Sequence, residues 1–291
     1  MSASRFTLLI VVTTFLMGSS FAVVKIGLIY SSPLLLAALR FILAGGIMGI
    51  IVGVLKRTHP TTKGQWVKLL IIGAFQTAGV MGCIFLSLRT ITASESAILT
   101  FTNPLLVVLF STVFLKMRYR LYQWIGVILG LVGVSITMGA QIEFRIGVFF
   151  GILSAVFWAI ATLLTKRWGG LTDIWVLSAY QMLFGGLILW VGSFILETPF
   201  FIVNGTALLI LLWLSLISSI VQFALWYYLL QKGEPGKTSA FLFLAPFFGV
   251  LTGWLLLGDP LYPSLLAGGL LIIIGIFLVN KDFNRKRVSA N

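Results

Sequence analysis

Apolar residues fill this chain in runs of about twenty, and polar, charged or turn-forming positions collect in short breaks between them. Stretches such as 208–214 and 270–279 are apolar on every face of a helix. A helix of about twenty residues, rising 1.5 Å per residue, crosses the roughly 30 Å hydrocarbon core of a bilayer. A membrane barrel would instead alternate apolar and polar positions over about ten residues. The pattern predicts an all-α integral membrane protein with ten spans, at 6–28, 33–55, 67–88, 97–115, 121–140, 146–165, 174–196, 207–230, 240–257 and 263–279. The first run follows Arg5, but it is too long for a signal peptide and no small-x-small cleavage site follows it, so it is expected to remain a helix. The connections are too short to fold as separate domains, which places the chemistry inside the bilayer.

Charge tests this count, because Lys and Arg accumulate in cytoplasmic loops. With ten helices and a cytoplasmic N-terminus, one side receives Arg5, Lys56, Arg57, Lys63, Lys68, Lys116, Arg118, Arg120, Lys166, Arg167, Lys232, Lys237, Lys281, Arg285, Lys286 and Arg287. That is sixteen of the 20 basic residues. The other side receives Arg89 and Arg145, while Lys25 and Arg40 fall within spans. Nine or eleven helices would scramble the bias, so both termini are expected in the cytoplasm. The composition fits: 59% of residues are apolar and 9% charged, with a mean hydropathy of +1.11, where a soluble domain carries about a quarter charged residues. The net charge of +13 then marks a membrane face and not a nucleic-acid partner, and the cluster from Lys281 to Arg287 reads as an anchor to anionic headgroups. Cys83, the only cysteine, permits no intramolecular disulfide or cysteine metal cluster and reads as a small buried apolar side chain.

The chain also resembles itself. A displacement of 142 places Pro104 on Pro246, Leu115 on Leu257, Gly126 on Gly268 and Gly133 on Gly275; one of 141 places Lys25 on Lys166, and one of 140 places Gly45-Gly46 on Gly185-Gly186. All three match the distance from the first span to the sixth. Two five-helix halves, 1–142 and 143–291, are therefore expected within a single transmembrane unit. Five is odd, so the second half must enter from the opposite side, which predicts inverted repeats and alternating access, a property of carriers. Pro104 and Pro246 fall near the middle of spans four and nine. Each is expected to free a backbone carbonyl, of Thr100 and Leu242, and to act as a hinge. Glycines in spans two, five, seven and ten are expected to permit close helix contact.

These residues resemble a known family. Gly18-Ser19-Ser20-Phe21 followed by Lys25, Pro33 with Arg40-Phe41, Asn103-Pro104, and Gly126 with Gly133 are similar to the EamA family of the drug/metabolite transporter superfamily. The second half repeats the theme with Trp158-Ala159, Pro246, Leu257-Gly258-Asp259, and Gly268 with Gly275. The resemblance implies ten-helix inner-membrane carriers with two inverted five-helix repeats, many of them exporting amino acids or related metabolites. One departure stands out: Lys116-Met117-Arg118 occupies the place where the family often has an acid after span four, whereas Asp259 keeps that acid in the second half.

Substrate-binding candidates follow from the cost of polar groups in lipid. Lys25 and Arg40 are membrane-embedded cations that would suit a carboxylate-bearing substrate such as an amino acid; alternatively Lys25 snorkels to the interface and Arg40 pairs with Glu95 or helix-end carbonyls. Gln76, Asn103 and Gln222 are amides at mid-depth, and Trp158 and Trp226 would wall a cavity for a small amphiphile. Packing between helices is the competing role for each. Trp66, Trp124, Trp168, Trp175, Tyr30, Tyr119 and Tyr262 read as interfacial belt. A monomer satisfies this pattern, with the lipid bilayer and a small metabolite as partners.

No acid falls at mid-depth: Glu95, Glu143, Asp173, Glu197, Glu234, Asp259 and Asp282 all sit at span ends or in loops. No phosphate-binding loop, zinc motif, paired intramembrane aspartates or nucleophile elbow occurs, and His59 lies in a basic loop. No cofactor or metal is therefore expected. The coupling expected is a facilitator, or a carrier whose proton site is Glu95 or the charged substrate itself. A membrane-embedded enzyme and a non-transporting membrane subunit are the alternatives.

Overall fold

The computed structural model describes residues 3–117, 119–137, 145–168, 173–232, 242 and 244–280. Helices α1 (Ala3–Gly27) and α2 (Pro33–Val54) are followed by α3 (Lys63–Gly73), a π-helical stretch over Ala74–Gly79 and α4 (Val80–Ser87). Then come α5 (Ala93–Thr100), α6 (Asn103–Leu115) and α7 (Leu121–Thr137). The later residues form α8 (Ile146–Trp168), α9 (Ile174–Leu196) and α10 (Gly205–Leu212). A second π-helical stretch, Trp213–Val221, leads into α11 (Gln222–Lys232), α12 (Leu244–Leu257) and α13 (Pro263–Asn280). Seven helical stretches are long and apolar enough to cross a membrane, and three shorter apolar helices lie at Leu121–Ile136, Leu244–Leu257 and Pro263–Val279. Among the described residues no strand forms beyond one isolated bridge between Ser31 and Phe201. The expected headgroup anchor at Lys281, Arg285, Lys286 and Arg287, together with Arg118, Lys237, Glu143, Glu234 and Asp282, lies outside the described residues.

Local chemistry explains where helices begin. The third predicted span starts earlier than hydropathy suggests because Thr62 and Gln65 form a reciprocal capping box at the start of α3. Thr92 and Glu95 do the same for α5. Asp173 accepts from Trp175 N at 2.8 Å to open α9, and Asn204 accepts from Ala207 N at 2.8 Å to open α10. The outward faces are apolar: Leu121, Val54 and Leu196 are each about three-quarters exposed, which is a stable arrangement only with hydrocarbon as solvent.

The bundle is held by reciprocal close approaches. α2 packs along α9, α7 along α13, and α1 along α12. A Cβ on Gly45 would lie 2.5 Å from Leu183 N, and one on Gly186 would lie 2.7 Å from Ile42 N. A Cβ on Gly126 would lie 2.7 Å from Gly275 O, one on Gly275 2.5 Å from Gly126 O, and one on Gly133 2.6 Å from Gly268 O. Backbone meets backbone at these crossings, as small residues in membrane helices allow. The contacts pair Gly45 with Gly186 as counterparts, a displacement of 141, one position beyond the alignment of Gly45-Gly46 on Gly185-Gly186.

Candidate functional site

A cavity of about 510 Å3 occupies the middle of the bundle, lined by residues from α1, α2, α3, the first π-stretch, α4, α6, α8, α9, α11 and α13. Of the seven predicted substrate-binding residues, Arg40, Gln76, Asn103, Trp158, Gln222 and Trp226 line it, and so does Pro104. The wall is aromatic, with Phe21, Phe85, Phe101 and Phe223 joining the two tryptophans. Phe101 bridges the first half to the second, 5.9 Å from Phe21 and 5.6 Å from Trp158 between ring centroids. The lining runs toward one end of the bundle, through Thr162 and Thr165 to Tyr119, Ile174 and Val279. Tyr119 is therefore a cavity residue and not only an interfacial one; its hydroxyl lies 2.6 Å from Ser111 Oγ.

Asn103 and Gln222 are more than nine-tenths buried. Neither amide has a hydrogen-bond partner among the described residues, nor does that of Gln76. Buried polar groups are ordinarily satisfied, so amides facing a void are donors and acceptors available to a ligand or to water. Asn103 reaches this position because the fourth span is broken. α5 ends at Thr100, Phe101 and Thr102 form a turn, and α6 restarts at Asn103. Pro104 is thus a first-turn proline, where its missing N–H costs nothing, and not a kink inside one continuous helix. Pro246 likewise sits in the first turn of α12, buried and off the cavity.

Arg40 is 3% exposed. Its Nε donates to Ser219 Oγ at 2.9 Å, and Nη2 donates to the Ser218 carbonyl at 2.8 Å and Ser218 Oγ at 3.3 Å. Its guanidinium carbon lies 4.7 Å from the Phe41 ring centroid. Both serines belong to the second π-helical stretch, where Ser219 Oγ also reaches back to the Leu214 carbonyl. Arg40 thus takes a backbone carbonyl within this π-helical stretch, a kind of element found often at functional sites. The first π-stretch presents a matching contact: Thr77 Oγ1 donates to Gln181 Oε1 at 2.6 Å. Gln181 lines the cavity and is 2% exposed. It escaped the sequence reading although a displacement of 141 lays it on Arg40.

Lys25 stands apart. It lines a separate recess of about 770 Å3 at the other end of the bundle, with Ser31, Pro33, Arg89 and Glu197, and its Nζ donates to the Ile91 carbonyl. That end is tied together by carboxylates. Asp259 accepts from Ser94 N and Ser94 Oγ, each at 3.0 Å. Glu197 accepts from Leu34 N at 3.2 Å, Leu35 N at 3.0 Å and Ser193 Oγ at 2.7 Å. Glu95 pairs with Arg145 at 2.7 Å and not with Arg40.

Comparison with known proteins agrees with this arrangement. The profile of the EamA-like transporter family matches residues 5–139 and again 145–281. The chain belongs to the EamA-like transporter family. It is 31% identical over 294 residues to the uncharacterized transporter YvbV of Bacillus subtilis (strain 168), covering 99% of this chain and 95% of that one. It is 25% identical over 292 residues to a probable amino-acid metabolite efflux pump of Salmonella typhimurium, covering 94% and 93%. A crystal structure 22% identical in sequence superposes with a TM-score of 0.67 over 96% of this chain and 98% of that one, so the fold is shared. As a family member the protein is a multi-pass membrane transporter. The central cavity of this EamA-like chain is lined by amides and aromatic rings.

Proposed function

We propose that this protein is a ten-helix carrier of the cytoplasmic membrane that exports amino acids or related small metabolites by alternating access of two inverted halves. The observation that carries the reading is the central cavity, whose unpartnered amides Asn103 and Gln222 come from different halves and whose far wall includes Val24 and Phe85, 1% and 0% exposed. Inversion is supported by the contacts. The Gly126–Gly275 approach becomes the Gly133–Gly268 approach when each residue is exchanged for its counterpart 142 positions away, and Gly45–Leu183 becomes Gly186–Ile42 at 141. The two π-helical stretches correspond likewise, with Arg40 matching Gln181 at 141 and Ser219 matching Thr77 at 142. A pair of halves related like this can trade conformations and so open the cavity to either side. The bias of basic residues in the chain's breaks supports an orientation with the cavity's open end and both termini in the cytoplasm. A monomer contains the whole cavity.

Purified protein in liposomes, assayed by counterflow with a radiolabelled amino-acid and metabolite panel, is expected to give saturable exchange of at least one solute. Asn103→Leu and Gln222→Leu should each reduce it by about tenfold or more, since a buried polar partner on the solute is left unpaired. Absence of saturable exchange across the panel would reject the carrier. Pro104→Ala should slow exchange severalfold while leaving thermal stability within about 1 kcal/mol, because alanine lets α5 and α6 merge and draws Asn103 off the wall. Pro246→Ala, away from the cavity, should act weakly; equal effects of the two would show that the break at Phe101 and Thr102 has no special role.

A further inference from the structure

Every described carboxylate is engaged at an end of the bundle. Glu95 is paired with Arg145, Asp173 with Arg57, Glu197 with the start of α2, and Asp259 with Ser94. None lines the cavity, whereas Arg40 does. Arg40 therefore has no counter-charge among the described residues. Its bonds go to a carbonyl and two hydroxyls, and these engage Nε and Nη2 while Nη1 has no acceptor among the described residues. A cation inside a membrane protein is costly and finds an opposite charge when one is within reach. Here the acceptors that hold Arg40 are neutral, so its positive potential is left directed at the cavity. The opposite half repeats the geometry with the chemistry changed, since Gln181 meets Thr77 as Arg40 meets Ser219. The charge is thus present in one half and absent from the other, where a glutamine stands at the matching place.

We propose that the cavity selects organic anions, with Arg40 receiving the carboxylate of a small acid whose apolar or aromatic body lies between Trp158, Phe101 and Trp226. This rests on the carrier reading above and narrows its substrate class. A guanidinium offers a planar fork that matches a carboxylate. The aromatic rings accommodate the body, and Asn103 and Gln222 fix its remaining polar group. An α-ammonium on the same ligand gains no carboxylate here and is repelled by Arg40, so a deaminated acid fits better than the amino acid. The same inference supplies a driving force. A single anion leaving a cell whose interior is negative gains about 2.3 kcal/mol, or roughly fifty-fold in concentration, per 100 mV. An exporter of anions therefore needs no coupling carboxylate at mid-depth, and the described residues provide none.

A phenyl series separates the possibilities. 3-Phenylpropionate, phenylalanine and phenethylamine share a ring and differ in charge. In detergent, with labelled 3-phenylpropionate as ligand, the acid is expected to compete about tenfold or more better than phenylalanine, and the amine not to compete. Arg40→Gln, which installs in the first half what the second half already has, should abolish the preference. Arg40→Lys should weaken binding while keeping its sign. Competition by the amine as strong as by the acid overturns the proposal on the unaltered protein alone, whether or not Arg40→Gln assembles. A preference that survives in a folded Arg40→Gln overturns the role of Arg40. In liposomes, protein-dependent flux of the acid should reverse when a valinomycin–potassium potential is reversed, and indifference to its sign overturns the electrical drive. Acid binding without flux at either sign supports the anion site and rejects the carrier, so the two readings fail separately.

Discussion

Gly186→Leu is expected to prevent this protein from assembling, and Gly186→Ala and Gly45→Ala to destabilise it measurably. The atoms a new Cβ would meet at these positions are backbone, Ile42 N and Leu183 N, at 2.7 and 2.5 Å. Backbone cannot rotate away as a flexible side chain can, so α2 and α9 must separate along their whole contact. Two effects oppose each other. Alanine is the better helix former by about 1 kcal/mol, while forcing extra volume into a packed crossing costs about 1–3 kcal/mol. At Gly46, where a Cβ would meet nothing within 4 Å, only the first operates, and Gly46→Ala should be neutral or slightly stabilising. At Gly45 and Gly186 the second wins. The separation also moves α2 relative to the second π-helical stretch and pulls Arg40 from Ser218 and Ser219, so ligand binding should fall by more than the loss of folded protein explains. Thermal midpoints read by size-exclusion fluorescence, together with binding per folded molecule, check this. If Gly186→Ala matched Gly46→Ala in stability, the crossing would not be the close backbone contact described.

Which features were legible in the sequence depends on how local their signal is. Apolar runs are readable because each run carries its own hydropathy, and seven of them form helices long and apolar enough to cross a membrane, with three shorter apolar helices beside them. Six of the seven residues proposed from sequence line the cavity, all chosen by one rule, that an amide, a cation or a mid-depth tryptophan within a span needs a reason to be there. Lys25 passed the same rule but lines the separate recess at the other end of the bundle, because the rule does not tell one cavity from another. The breaks in helices were not legible. Pro104 was expected inside a continuous helix, yet whether a proline kinks a helix or starts a new one is decided by what neighbours do with Phe101 and Thr102. The π-helical stretches leave no mark in hydropathy either, since residues such as Ser218 and Thr77 are unremarkable until tertiary contact gives a carbonyl to Arg40 or a glutamine to a threonine. Gln181 has its signal in the repeat, since the displacement of 141 that lays Lys25 on Lys166 also lays Arg40 on Gln181.

Met117 and Asp259 lie 142 positions apart, and the two ends of the bundle differ at this place. In the second half the residue is Asp259, 6% exposed, and it accepts from the N-terminus of α5 through Ser94. Glu197 similarly caps α2, whose own N-cap residue Ser32 makes no side-chain cap. Carboxylates at helix N-termini gain from the exposed N–H groups and the helix dipole, each cap contributing about 1 kcal/mol. Both bonds cross between the halves at the sealed end. At the open end the counterpart of Asp259 at 142 is apolar Met117, and the counterpart of Glu197 at the 141 that relates α2 to α9 is Lys56, an exposed cation that caps no helix. The caps therefore favour a conformation sealed at one end and open at the other. Removing both, with Asp259→Ala and Glu197→Ala, should shift that balance by about 2 kcal/mol, or roughly thirty-fold, toward opening at the sealed end. Val24 lines the cavity and is 1% exposed. A Val24→Cys reporter in a Cys83→Ser background reads the change as the rate of modification by an impermeant maleimide added from the sealed side. The double variant should react about ten- to thirty-fold faster, and each single variant by an intermediate amount. Equal rates in all four proteins would mean that the apolar packing around Phe21, Val24 and Phe85, and not the carboxylates, holds that end closed.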